Sequence, residues 1–351
     1  MDIIKADVND VESIETMCAQ TRVIIDVVGP YIEYGEVVVK SCVSQKCDYV
    51  DITGETYFVE LMISRYGEQA KEAGVYIVNY CGFDSIPNDM GVLILQRAFN
   101  GELAYVESYV KTEAEVVNTG TWESILRGMR SWKKIEELRK SSTQPRPKLP
   151  DVRMPKRRWL FYSDVVHSWC IPFMGSDRAC MVRSAQYRNE KYNTPMFRTK
   201  VYYSVGTLLR FIGMTLMFFI IIPLNYTNWG FKLLCKYPAL FTAGVFRKGG
   251  PNKAQLDRGS FNTTIHGVGY SVDNTDKSKP DTSLRVKVRG AEPGYIATSM
   301  MLVQSALCLL DERANLPDEG GIYTPAAAFG DTNIVQKMEA TGKVKFTIEQ
   351  P

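Results

Sequence analysis

Residues 22–91 read RVIIDVVGPYIEYGEVVVKSCVSQKCDYVDITGETYFVELMISRYGEQAKEAGVYIVNYCGFDSIPNDMG, and this stretch decides the fold. It holds three short apolar runs, VIIDVV at 23–28, YVDI at 49–52 and VYIV at 75–78. The first is β-branched and nearly continuous, as expected of a strand buried on both faces. Between the runs, residues 36–45 read as a helix. Phe58, Leu61, Met62, Tyr66, Gln69 and Ala73 mark one face of a longer one, which Gly74 closes as a C-terminal glycine cap. Strand and helix alternate about every two dozen residues, the rhythm of right-handed βαβ crossovers in a parallel sheet.

Each run ends in a loop: Val28-Gly29-Pro30-Tyr31, then Asp51-Ile52-Thr53-Gly54-Glu55, then Gly82-Phe83-Asp84-Ser85-Ile86-Pro87. In parallel sheets ligands bind beyond the carboxyl ends of the strands, where all three loops fall. Taken singly, Gly, Pro and Asp are ordinary turn residues. Upstream, residues 3–6 read as a strand closing on Asp7, and residues 9–19 as a helix capped by Asn9 or Asp10. Downstream, Ser85 reads as the cap of a helix over 88–99.

The chain has 351 residues, 45% hydrophobic and 23% charged, which is globular composition with room for two domains. A net charge of +3 does not point to nucleic acid. The eight cysteines are scattered without a C-x-x-C pair, fitting reduced thiols rather than a disulfide framework. With only His167 and His266 present, neither a metal site nor a Ser-His-Asp triad is expected. The first ten residues, MDIIKADVND, lack the basic and apolar regions of a secretory signal, so the chain reads as not secreted.

From about residue 101 the pattern changes to an α+β one. Residues 105–112, 178–187, 260–271 and 283–290 read as strands, and 121–130 as a helix. Between Arg127 and Arg158 stand twelve Lys or Arg against three acids, with Trp132 and Trp159 interleaved. Two readings stay open for it, a solvated loop or a contact with anionic lipid head groups. Residues 205–224 (VGTLLRFIGMTLMFFIIIPL) are the most apolar part, interrupted by Arg210 and ended by Pro223. A second apolar arm covers 229–246, after a polar turn bracketed by Tyr226 and Trp229. A hairpin at about 205–246 dipping into a lipid surface is one reading; a buried core helix or a homodimer interface is the other. Residues 297–310 form an apolar helix with one uncharged face, and 320–329 a Gly- and Pro-marked turn.

The ordered set VGPY, YVDITGE, GFDSIPNDMG, FMGSD, PGYIAT and GGIYTPAAAF resembles the saccharopine dehydrogenase-like oxidoreductases, in their animal branch, over nearly the whole chain. The resemblance implies an NAD(P)-dependent oxidoreductase with a Rossmann-type domain and an inserted second domain. It also implies a hydrophobic or lipid-linked substrate and a place on the cytoplasmic face of membranes, on lipid droplets or in the mitochondrion. A non-catalytic membrane or lipid-droplet adaptor is the alternative. By position it puts Val28, Gly29, Pro30 and Tyr31 against the nicotinamide ribose, with Gly82 and Phe83 also on the cofactor and Asp7 near the adenine. Asp51, Glu55, Asp84 and Ser85 would face the domain junction. Glu55 and Asp84 are the implied acid–base groups, Tyr31 a further donor, and Asp51 and Ser85 substrate-side. Simpler duties stand beside these: helix capping for Asp84 and Ser85, a turn carboxylate for Asp51.

One departure is plain. Relatives of this kind begin with a strand and a glycine-rich loop that binds the pyrophosphate at a helix N-terminus. The first glycine here is Gly29. The expected organisation is therefore an N-terminally incomplete Rossmann-type parallel sheet over 1–98, with impaired cofactor binding and an exposed sheet edge. A second α+β domain over 99–292 and a return over 293–351 packing on the first domain complete it.

Overall fold

The computed structural model describes residues 3–141, 148–277 and 279–350. Residues 142–147 of the basic stretch lie outside it. The chain runs through α1 (Val11–Cys18), β1 (Val23–Asp26), α2 (Tyr31–Gln45), β2 (Asp48–Asp51), α3 (Thr56–Ala73), β3 (Tyr76–Val78) and α4 (Ile86–Ala98). Next come β4 (Gly101–Thr112), α5 (Thr119–Ser141), β5 (Phe161–Ser163), β6 (Ser168–Pro172), α6 (Asp177–Tyr192) and β7 (Arg198–Gly206). Helices α7 (Leu208–Tyr226), α8 (Asn228–Lys236), α9 (Pro238–Phe241) and α10 (Lys253–Arg258) lead to β8 (Ser260–Ser271) and β9 (Thr282–Ala291). The chain closes with α11 (Thr298–Asp311), β10 (Gly321–Tyr323), α12 (Pro325–Phe329), α13 (Ile334–Ala340) and β11 (Val344–Glu349).

Two sheets organise these elements. The first is parallel, in the order β1-β2-β3-β10. Its strands alternate between two cores: Tyr49 and Ile77 pack with α1, α2 and α3, while Val50 and Val78 pack with α11. The second sheet is mixed, in the order β11-β9-β8-β4-β7-β6-β5. Helix α4 stands between the sheets and packs on β8 and β9. It can come this close because Gly91 has no side chain; a Cβ there would meet Ile265 and lie 3.2 Å from Val288 Cγ2. The fold is thus α/β, a Rossmann-like parallel sheet joined to a larger mixed one.

Several expectations are corrected. Residues 3–6 form no strand, and Ile3 is 96% exposed. The run at 23–28 is not buried on both faces. Only β2 flanks β1 among the described residues, and Ile25, Val27 and Val28 are exposed. Residues 178–187 belong to helix α6 rather than a strand. Helix α5 extends to Ser141, so the first half of the basic stretch is helical instead of a loop. The return is divided: α11 and β10 pack on the parallel sheet, but β11 pairs with β9 in the second sheet. All eight cysteines are free thiols.

In the apolar stretch, Arg210 and Pro223 both lie inside α7 rather than bounding it. Both ends of α7 are tied to the same body. Its start continues from β7, and near its end Asn225 Nδ2 donates to Leu126 O of α5 at 2.9 Å. Trp122, Leu126, Ile221 and Leu234 form a small core there, with Trp122 Nε1 donating to Leu234 O at 3.0 Å. Helix α8 is held by that core. The outer face of α7 has no cover among the described residues.

Candidate functional site

Strands β1, β2 and β3 end side by side, so the three predicted loops form one rim. At the end of β1, Asp26 is buried; its Oδ1 accepts from Val28 N at 2.9 Å and its carbonyl from Tyr31 Oη at 3.0 Å. The Gly29–Pro30 peptide is cis, and Tyr31 opens α2. The first two amides of that helix need acceptors. Glu55 supplies them from the next loop, Oε1 to Tyr31 N and Oε2 to Ile32 N, each at 3.0 Å. Ser124 Oγ of α5 adds a third bond to Glu55 at 3.2 Å. A carboxylate in this position is favoured by the helix dipole. Both oxygens of Glu55 are thereby engaged, and the Tyr31 hydroxyl, raised far above the usual phenol range by burial, is committed to a backbone carbonyl.

Asp51 is completely buried. Its Oδ1 accepts from Thr53 N and Tyr80 N at 3.1 Å each, and its Oδ2 from Asn79 Nδ2 at 2.6 Å. Tyr49 Oη stands 3.0 Å from Oδ2 of Asp51 and 3.0 Å from Oδ2 of Asp26. Burial pushes the Asp51 carboxyl up to about 7 and raises that of Asp26 as well. This network joins the first two loops from below and does not reach the surface.

The third loop divides its residues between solvent and core. Phe83 N donates to Thr298 Oγ1 at 3.0 Å, and the Phe83 ring packs 4.8 Å from that of Phe261. Gly82 fits tightly, since a Cβ would lie 3.2 Å from Thr298 Cγ2. Ser85 makes no side-chain cap; its hydroxyl instead meets Ser176 Oγ at 3.3 Å. Asn88 donates to Asp177 and accepts from Ser108, while Asp89 Oδ2 accepts from Ser184 Oγ and Ala326 N at 2.8 Å each. These bonds form a buried polar seam that ties α4 to α6, β4 and α12. Asp84 differs. Its carboxylate reaches solvent and has no hydrogen-bond or ion-pair partner among the described residues. The dense surroundings still raise its carboxyl above the usual range through desolvation alone. Asp7 is exposed in a turn ahead of α1. There its Oδ1 accepts from Asn9 N and Nδ2, which holds its carboxyl below the usual range.

Ser176, Asp177 and Thr298 lie in the FMGSD and PGYIAT motifs, but no local pattern assigns them a role beside Asp84. Ser124 lies outside every motif. No group of His, Cys, Asp and Glu among the described residues is placed to hold a metal ion.

Comparison with known proteins now bears on this rim. Residues 1–78 match the saccharopine dehydrogenase NADP binding domain. The human saccharopine dehydrogenase-like oxidoreductase is 36% identical over 359 residues, spanning 99% of this chain and 82% of that protein. The chain belongs to the saccharopine dehydrogenase-like oxidoreductase family. A Caenorhabditis elegans relative named lipid droplet localized protein is 33% identical, over 97% of this chain and 83% of its own. The saccharopine dehydrogenase (L-Glu forming) of Saccharomyces cerevisiae in its apo form shares the fold, with a TM-score of 0.52 and 13% identity over 98% of this chain and 88% of that one.

The backbone beyond β1, opened by exposed Val27 and Val28, offers approach to a flat ring and its ribose, whereas Gly82 is buried against Thr298 and Ile52. A glycine-rich turn opening a helix beside β1, which would take the pyrophosphate, is not among the described residues.

Proposed function

We propose that the protein is an NAD(P)-dependent oxidoreductase acting on a hydrophobic or lipid-linked substrate at a membrane or lipid-droplet surface. The observation that supports the chemistry is Asp84. On a rim where Asp26, Asp51 and Glu55 are all tied to hydrogen-bond donors, it is the carboxylate left open. A carboxyl with a raised pKa at the rim of the sheet suits proton delivery or removal beside a reacting carbonyl or double bond. The nicotinamide, when bound, supplies or accepts the hydride. Val28, Gly29, Pro30, Gly82 and Phe83 position its ring, Glu55 fixes the α2 start that holds the Gly-Pro turn, and Ser85 fixes the Asp84 loop to α6.

The lipid surface is supported by α7. Its Leu209, Leu216 and Phe219 are 79%, 62% and 75% exposed, in a helix of 19 residues. Its length of about 28 Å would nearly span a bilayer. Because both ends are fastened to the protein, the helix lies in the plane of an interface with its outer face in the acyl region. Exposed Tyr226 and Trp229 stand at its end, where amphipathic rings favour the head-group level.

Calorimetric titration of the full chain with NADPH and NADH tests the enzyme reading. Saturable binding of one of the two is expected, and Gly82→Val should weaken it. No saturable binding of either cofactor overturns the oxidoreductase reading in favour of the adaptor.

A further inference from the structure

A second site lies away from the rim, where the segment after α5 crosses the start of β7. It is a groove of about 920 Å³ between residues 149–156, the first turns of α6 and residues 198–200. This is within the range of sites that hold drug-sized ligands. Five cations line it, Arg153, Lys156, Arg178, Arg198 and Lys200, against the single carboxylate of Asp151. None of the five joins an ion pair among the described residues.

The cations are held ready rather than merely solvated. Arg178 Nε donates to Thr199 O at 3.2 Å and Arg198 Nε to Pro150 O at 3.0 Å. Each guanidinium is thus fixed by its inner nitrogen, with the outer pair left to grip an oxyanion. Lys200 Nζ lies 3.5 Å from Pro155 O. Burial and the neighbouring charge of Arg139 both act against the Arg178 cation, so positive charge here lacks compensation. Thr199, only 6% exposed, also lines the groove, and its Oγ1 has no hydrogen-bond partner.

The remaining wall is apolar. Leu149 is exposed and Met154 and Val182 are half-buried along the groove, backed from the core by Val152, Met196 and Phe197. Cations above an apolar floor match an anion that carries a hydrocarbon tail. We propose that this groove binds a single anionic phospholipid, its phosphate on Arg178 and Arg198 and its first acyl carbons on Leu149, Met154 and Val182. The site is independent of the readings of Asp84 and α7.

Short-chain soluble lipids test it on the full chain by calorimetry below their micelle concentrations. Dihexanoyl phosphatidic acid should bind saturably, with inorganic phosphate and dihexanoyl phosphatidylcholine each at least tenfold weaker. The exposed pair Arg153→Glu and Lys156→Glu, and separately Arg178→Gln, should weaken phosphatidic acid binding about tenfold or more with the thermal unfolding midpoint unchanged. Leu216→Asp with Phe219→Asp on α7 should leave it intact. Equal binding of inorganic phosphate would make the site a plain phosphate site, and equal binding of phosphatidylcholine a nonspecific apolar surface. Either result, loss of binding in the α7 variant, or unaltered binding in both groove variants overturns the proposal.

Discussion

Asp26 and Asp51 share one phenol: Tyr49 Oη stands 3.0 Å from a carboxylate oxygen of each, and all three side chains are buried. A hydroxyl has one proton to give, so a fully ionised pair leaves one oxygen–oxygen contact without a hydrogen. A second proton on either carboxyl resolves it, in keeping with Asp51 pushed up to about 7. In the unfolded chain Asp51 titrates near its ordinary 3.8. Between these values the native state holds more protons than the unfolded state, so this group's contribution falls as pH rises from about 4 to about 7. The Asp51→Asn variant removes it. Relative to the wild type, the variant should gain stability as pH rises through that window, by at most about 4 kcal/mol. Urea unfolding at pH 4.5 and pH 8 measures this, and a difference that is flat or of opposite sign contradicts the shared-proton reading.

Tyr49→Phe keeps the ring and removes the bridge. Two buried carboxylates then face each other with one fewer donor, at a cost of about 1–3 kcal/mol at neutral pH. The loss should shrink toward pH 4.5, where protonated carboxyls supply their own donors. Chemical denaturation at the two pH values separates this from simple loss of packing, which would not depend on pH.

Glu55 acts at a distance in sequence, accepting from the Tyr31 and Ile32 amides. Glu55→Ala should destabilise the fold by about 1–2 kcal/mol, the usual cost of an uncapped helix start. Glu55→Gln keeps one acceptor and should lose less. If the two variants unfold at the same denaturant concentration as the wild type, Glu55 is not holding α2.

The contrast between Glu55 and Asp84 shows what the sequence could reveal. The βαβ rhythm and the loops at the strand ends were legible because periodicity and turn residues are local properties. Gly74 is the clearest case, ending α3 with φ 68° where a glycine cap was expected. The division of labour among the loop carboxylates was not legible, since Glu55 meets partners 24 and 23 residues away. Helix α6 is not legible for a related reason. Its buried positions, Asp177, Cys180, Met181, Ser184 and Ala185, have helical spacing, but all except Met181 are polar or small, and Asp177 and Ser184 belong to the seam. An apolar count passes over such residues. Residues 3–6 differ for another reason: an apolar run becomes a strand only beside a partner, and none of the described strands lies there.

The outer face of α7 gives a prediction about location. Leu216 and Phe219 are 62% and 75% exposed, so Leu216→Asp with Phe219→Asp should alter stability by less than about 0.5 kcal/mol each. The same pair should abolish co-sedimentation with phospholipid vesicles, because each charge would have to enter the acyl region. Retained sedimentation of a folded variant removes α7 from membrane attachment.

Asp84→Asn tests the site itself. The substitution is nearly isosteric, and Asp84 has no partner to lose among the described residues. Its raised pKa means that the charged form is disfavoured in the folded state, so above its ordinary carboxylate range the native protein is strained by this charge. Neutralising it should raise the unfolding midpoint at pH 8 and leave it unchanged at pH 3.5. The gain should be under about 1 kcal/mol because the carboxylate reaches solvent. The proposed NADPH-dependent reduction, assayed on a long-chain carbonyl or enone, should fall about 100-fold or more, the range of a lost general acid. Its pH profile should also lose the limb that Asp84 sets. Greater stability with lower activity marks a residue kept for its chemistry. A variant that is no more stable and equally active would return Asp84 to the status of an exposed loop residue.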